Sequence, residues 1–565
     1  MAMRRDIGLV GLTFVAVGGM LGSGWLFAPL LSGQLAGPAA LISWIIGASA
    51  ILVLALTYAE ISAMFPVAGA IARLPQLSHG RMFAMVVGWS AWAGYCTAAP
   101  IEVEASLRYA SVYIPALHTG EQGEMNWVTY VVAAVLLFGF TIINALGVAL
   151  FAKINSALTW AKIIAIAMVV GALVSTRFEV DNFLGPEGFA PFGMEGVFAA
   201  VGSGGVAMAF IGFRHAIDMA GETQNPQRNV PLALIFSILI CFAAYASLQF
   251  AFTGAVTVAG TADGWSSLTA SASGGPLMHL STTLGILWLV AILKVASVIS
   301  PFGGALVSVG SNGRLSMAIA ENGLFPKLFA ALNSKGVPVA ALALNYVIGL
   351  ILFFTLPFTE LIALNSSAIV LSFVAGPLGV IAFRRLAPHM PRPFRLPAAQ
   401  VICPAAFIVA TLIVYWSGWE TVWRLIVLIG LGFGLFFVRA ASGIWNNLDA
   451  RCALWLAPYL IAIVLLSVLG SFGGGLGVIA QPYDSVLAAL IGVATFYGAS
   501  RSHLPVERFD DLLQREHQTE MEEYQGTDDP TEKSVEAAIA DERRSRQADP
   551  SRKDGDVLRR DGERL

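Results

Sequence analysis

Three kinds of charged residue stand where charge is expensive. In AFIGFRHAID (Ala209–Asp218), Arg214 interrupts an otherwise apolar run. A guanidinium at the centre of a bilayer costs about 3 kcal/mol even on lenient insertion scales. Its planar fork matches a carboxylate bidentately, better than a lysine would. Either a ligand supplies that carboxylate or a neighbour does. Asp218 lies four residues on, on the same helix face, and Glu102 and Glu104 lie in another apolar run. Lys162 in NSALTWAKIIAIAM and Lys294 in AILKVAS are lysines inside apolar stretches. Buried, Lys294 would need a carboxylate such as Glu102 or Glu60; near a helix end it could snorkel. Glu102 either relays protons or pairs with Arg108 or Arg214. Ionisable groups in such segments mark ion, proton or substrate pathways.

Other chemistries find little support. The four cysteines (Cys96, Cys241, Cys403 and Cys452) sit in or beside apolar runs without a CxxC pair, and read as free thiols used as small hydrophobes. His79, His118, His279, His389, His503 and His517 fall in expected loops or tail, and only His215 adjoins Arg214. No metal-ligand spacing and no phosphate-cradling loop occurs. No nucleophile–base constellation stands out, so the expectation is a non-enzyme without cofactor or metal.

The elements that must hold these charges are membrane helices. Of 565 residues, 57% are hydrophobic and 12% charged, with mean hydropathy +0.73; soluble domains carry about twice that charge. A membrane helix needs about 20 apolar residues. Fourteen candidate spans fall at 7–31, 38–65, 83–108, 126–149, 154–175, 194–218, 230–254, 278–310, 338–357, 361–384, 401–418, 421–439, 452–470 and 482–500. With a cytoplasmic N-terminus, nearly all loop Lys/Arg lie inside, and Glu121, Glu124, Glu179 and Asp181 lie outside, following the positive-inside rule. A cleaved signal is not expected, because the first apolar run continues without a small-residue exit. Segment 501–565 holds 12 Lys/Arg and 18 Asp/Glu, and reads as a charged, disordered cytoplasmic tail with a short helix near 507–523.

Two spans carry glycine at a density that weakens a helix: GGMLGSGWLF (Gly18–Phe27) in the first and GSGGVAMAFIGF (Gly202–Phe213) in the sixth. Non-helical backbone survives at membrane depth only when it lines a cavity or is buried in protein. Broken spans at corresponding places five spans apart point to an inverted-repeat transporter with a midplane site.

These motifs resemble the amino acid–polyamine–organocation (APC) superfamily of permeases. GGMLGSGWLF is similar to its first-helix signature, and AFIGFRHAIDMAGETQNPQRNVP to its sixth-helix and loop signature. APIEVEAS (Ala99–Ser106), VISPFGG (Val298–Gly304) and GRLSMAIAENGLFPKLFAALNSKGVP (Gly313–Pro338) match third-helix, eighth-helix and following-loop segments. The resemblance implies an all-α polytopic protein with a five-plus-five inverted repeat and discontinuous helices one and six. It implies a ten-helix transport core over 1–384 and four further helices over 385–500. Amides around Gly22, Ser23 and Gly24 would hold a substrate α-carboxylate, as a half-helix start can. Carbonyls near Met20 and Phe210 would accept from the α-ammonium, and Met208 and Ile211 would line the side-chain pocket. Many relatives carry Glu where Arg214 stands. The reversed sign suits an acidic side chain, repels cationic substrates, and looks closest to the aspartate:proton symporter group. The lysine context N…T-x-x-K, here Asn155, Thr159 and Lys162, resembles proton-coupled permeases in which an ammonium replaces a bound sodium ion. Glu102 would share in proton coupling, and Ser300 would neighbour the cation site.

The leading expectation is a proton-coupled importer of acidic amino acids in the cell's inner membrane, working by alternating access. The alternatives are a neutral amino-acid importer or exchanger with Arg214 as gate, and, more remotely, an amino-acid sensor. The expected partners are an amino acid, a proton and the lipid bilayer, with no nucleic acid.

Overall fold

The computed structural model describes residues 5–514, apart from 112, 118–124, 185–187, 203, 259–263, 269–274, 442–448 and 473. The described chain is helical, with one isolated β-bridge between Ile7 and Thr223. Nine of its described helical segments are long and apolar enough to cross a membrane. Three shorter apolar helices accompany them: Leu9–Met20 (α1), Val339–Thr355 and Tyr483–Ala499. The other two of the fourteen expected spans fall on the helices Ala70–Ser111 (α4) and Trp419–Ala441.

Both glycine-rich spans are broken. α1 stops at Met20, where Leu21 leaves helical geometry at φ −86°, ψ 54°. A 3₁₀ turn over Gly24–Leu26 follows, then α2 (Ala28–Ala36), started by Pro29 in its first turn. α3 (Ala40–Met64) completes the second span. After α4 come α5 (Trp127–Ala145) and α6 (Val148–Thr176). The sixth span is α7 (Gly193–Gly202), a reversal through Gly205 at φ 83°, a single turn over Val206–Ala209, a 3₁₀ turn over Ile211–Phe213, and α8 (Arg214–Asp218). The two breaks meet backbone to backbone. A Cβ on Gly212 would lie 2.5 Å from the Met20 nitrogen and 2.7 Å from the Gly19 carbonyl carbon.

A scaffold surrounds them. α9 (Pro226–Ala255) packs on α3 and α1, and α10 (Leu287–Glu321) packs along α4. α4 is kinked at Gly80, whose φ of 83° suits glycine. At the N-terminal end of the molecule, Ile7 exchanges backbone hydrogen bonds with Glu222 and Gln224, at 3.1 and 2.8 Å. Nearby, Arg314 of α10 forms a fully buried bidentate pair with Glu222. Arg314, in the Gly313–Pro338 segment matched to the loop after the eighth helix, stands inside α10 with no exposed surface.

The later helices include α11 (Ala399–Trp416) and α12 (Tyr483–Ala499), which pack together. Trp416 stacks on Phe198 of α7 at 4.9 Å, tying this part to the sixth span. Packing continues beyond residue 500. Residues 506–514 are helical, Phe509 is buried near Phe383, and the Leu504 amide donates to the Ser78 carbonyl. Nothing in 501–514 is a loose tail, because its apolar side has a surface to cover; the rest of the expected tail lies outside the described residues. His79, expected in a loop, is buried in α4, 3.2 Å from the Ala499 carbonyl.

Candidate functional site

The first break presents backbone groups that a continuous helix would have consumed. Ser23 and Gly24 keep exposed surface, whereas Gly22 is buried. The Ser23 amide points at a carboxylate, as half-helix starts favour. That carboxylate belongs to the protein: Glu102 of α4 accepts from Ser23 N–H at 2.8 Å. Glu102 fits there because Gly22 and Gly304 leave room. A Cβ on Gly22 would overlap Glu102 Oε1, and one on Gly304 would stand 3.0 Å from its Cδ. The Met20 carbonyl accepts from the Tyr245 hydroxyl at 2.8 Å. The Phe210 carbonyl accepts from the Phe213 amide at 3.3 Å. Trp25 is fully buried, its indole N–H donating to Ser300 Oγ at 2.7 Å, and the Ser300 hydroxyl faces the Leu21 carbonyl at 3.4 Å.

α6 grips α1 through its side chains. Lys162 Nζ donates to the Gly18 carbonyl at 2.9 Å, and Asn155 Nδ2 donates to the Phe14 carbonyl at 2.9 Å. Thr159 reaches the same Phe14 oxygen at 3.4 Å. A Cβ on Gly303 of α10 would stand 2.5 Å from Lys162 Nζ. The ammonium is therefore enclosed by α1, α6 and α10. A cavity of about 440 Å³ between α6 and α10 has Lys162 and Ser300 on its otherwise apolar wall.

At the second break, Arg214 is 3% exposed. Its guanidinium lies over the Tyr95 ring, 3.7 Å from the centroid. Nε and Nη1 are buried with no hydrogen-bond partner among the described residues. Asp218 is fully buried and accepts from the Tyr95 hydroxyl at 2.6 Å through Oδ2, while Oδ1 has no partner. His215 bonds Ser311 at 2.8 Å and presses on Gly19, where a Cβ would collide with the imidazole.

The arrangement is two helix breaks in contact, each presenting anion-binding groups. The sequence comparisons identify the family. Residues 7–436 match the family described as amino acid permease. The chain is similar to the glutamate/serine transporter AimA of Bacillus subtilis, 34% identical over 90% of this chain and 96% of the relative. It is similar to the aspartate-proton symporter of the same organism, 33% identical over 90% and 98%. A branched-chain amino acid permease, BcaP, is 25% identical over 77% and 93%.

The chain belongs to the amino acid permease family.

Within the permease, the residues named from sequence gather around the two breaks. Met20, Gly22, Ser23, Gly24 and Glu102 cluster at the first, with Ser300 alongside. Phe210, Ile211 and Arg214 stand at the second, with Met208 and its partly exposed side chain one turn earlier. Lys162 stands beside the first break on α6. Several candidate pairings do not form. Glu104 pairs with Arg108 at 2.7 Å and Glu60 with Arg384 at 2.7 Å. Lys294 is exposed and lies over the Tyr113 ring at 4.4 Å, with no carboxylate partner among the described residues. Neither Glu102 nor Asp218 forms an ion pair with Arg214. Sequence reasoning missed Tyr95, Tyr245, Trp25 and Glu222. Tyr95 had one usable signal: it precedes Glu102 by seven residues, two helical turns, and so shares its face.

Proposed function

We propose that this permease imports acidic amino acids by proton symport, with aspartate or glutamate spanning the two breaks. The observation that carries this reading is the Arg214 guanidinium, enclosed yet holding two nitrogens, Nε and Nη1, with no partner beside the second break. Buried unpaired donors on a charged group cost more than ordinary hydrogen bonds return, so the site is best explained by a ligand that completes them. A side-chain carboxylate has that chemistry. The names of two similar proteins, a glutamate/serine transporter and an aspartate-proton symporter, support the class.

The Ser23 amide supports the proton-coupling part of this reading. A substrate α-carboxylate would use the amide that Glu102 now occupies. Two carboxylates cannot both stay charged at such a short separation. Glu102 therefore takes up a proton or withdraws as the substrate seats, which links substrate to proton. Lys162, held on the Gly18 carbonyl, senses the same movement of α1. We place the N- and C-termini on the cytoplasmic side of the plasma membrane, a reading that the loop charges support.

The test is uptake of labelled aspartate, glutamate, alanine and arginine into proteoliposomes, with and without an inward proton gradient. Wild type takes up the acidic substrates, gradient-driven, and Arg214→Glu loses them. Preference for alanine, or unchanged specificity in the variant, overturns the reading. A second reading has one observation in its favour. Arg214 is buried here with its guanidinium over the face of the Tyr95 ring, as a gate residue of a neutral amino-acid importer or exchanger would be. The same experiment separates the two.

A further inference from the structure

Arg214 and Asp218 are spaced i,i+4, the separation at which opposite charges pair across one helical turn. They do not pair. Both are buried, and each keeps an unpaired polar atom: Nε and Nη1 on one, Oδ1 on the other. What stands between them comes from a different helix. Tyr95 of α4 lies with its ring face under the guanidinium and its hydroxyl on the carboxylate.

We propose that Tyr95 is a positioning residue: it holds Asp218 off Arg214 and so keeps the guanidinium open to an anionic ligand. The proposal rests on the reading of Arg214 as the group that binds the substrate's side-chain carboxylate. Tyrosine suits the task because it offers a π-face to the cation and a donor to the anion at once. Phenylalanine would supply only the first, and leucine neither. The other polar groups nearby are engaged elsewhere. The Tyr58 hydroxyl donates to the Ser372 carbonyl at 3.2 Å. His215 is bonded to Ser311, and Arg314 is saturated by Glu222 and the Gly310 carbonyl. The Tyr95 hydroxyl is thus the side-chain donor on Asp218, and losing it leaves a buried carboxylate whose ready partner is Arg214. The collapsed pair would satisfy both residues and close the guanidinium to a ligand.

The experiment compares the full-length wild type, Tyr95→Phe, Tyr95→Phe/Asp218→Asn and Arg214→Gln in proteoliposomes, measuring the concentration dependence of aspartate uptake. Tyr95→Phe is expected to raise the half-saturating concentration by about tenfold, equivalent to about one charge-assisted hydrogen bond, with maximal uptake little changed. Adding Asp218→Asn removes the competing carboxylate and restores affinity to near wild type. An unchanged half-saturating concentration in Tyr95→Phe, or no recovery in the double variant, overturns the proposal. Arg214→Gln reports separately on the functional reading: if it leaves aspartate uptake intact, that reading fails. The structure of Tyr95→Phe then decides the matter alone. Asp218 within ion-pair distance of Arg214 supports the positioning role, and an unmoved Asp218 sinks it.

Discussion

Glu102 fills the first helix break from a neighbouring helix. Its carboxylate reaches the Ser23 amide through a slot between two glycines, Gly22 and Gly304. Replacing it by an amide keeps the shape and removes the ionisable carboxyl. Glu102→Gln is expected to abolish stimulation of uptake by an inward proton gradient while retaining counterflow exchange, read in the same vesicles at two internal pH values. Lys162 offers a companion test. Gly303→Ala puts a methyl group against Nζ, which lifts the ammonium off the Gly18 carbonyl. Losing one charge-assisted bond is worth about 1.5–3 kcal/mol, so transport should fall by roughly tenfold or more, and Lys162→Met should fall with it. Equal transport in both would show that the tie is dispensable. Arg214, Lys162 and Glu102 were legible in the sequence because charge in an apolar run has no cheap explanation. Tyr95 and Trp25 were not. Aromatic residues are at home in membrane helices, and their partners, Asp218 and Ser300, lie more than a hundred residues away.

At the scale of elements, the two breaks were readable from glycine density, but their contact was not. Gly212 shows why, since its role depends on the Gly19–Met20 backbone of another span. Gly212→Ala should separate the half-helices at a cost of about 1–3 kcal/mol from overpacking, seen as a lower unfolding temperature together with lost uptake. The Glu222–Arg314 pair sets a different constraint, because it joins the end of the sixth span to α10 with both charges out of water. Removing one partner leaves the other uncompensated, at about 3–5 kcal/mol. Glu222→Met and Arg314→Met are each expected to be strongly destabilised in a thermal-shift measurement. The double variant should recover most of the loss, because two apolar side chains leave no orphaned charge. A double variant as unstable as the sum of the singles would refute that account.

For the whole molecule, the apolar body was legible from hydropathy and loop charge, and its lower boundary was not. Composition turns polar at residue 501, yet packing runs on to the helix at 506–514. Phe509 and Leu512 are too few among too many charges to register as a buried face. A chain ending at residue 514 is the reference for the comparison. Deleting everything after 500 should lower the unfolding temperature by several degrees, through exposure of the surface around Ser78, His79 and Phe383. Equal unfolding temperatures would mean that this segment only decorates the surface.

The short bridge between Ile7 and Thr223 joins the start of the chain to the segment just after α8. Mechanically it is a crossbar. The first half-helix and the last turn of the sixth span are splinted at their free ends, so neither can swing without dragging the other. Force applied at the N-terminus by a bulky fusion is therefore delivered to the arm that carries Arg214. A reporter dye near residue 5 would track that arm's excursions through the transport cycle. The same dye on the far side of the splint, near residue 225, should give a signal of matching phase.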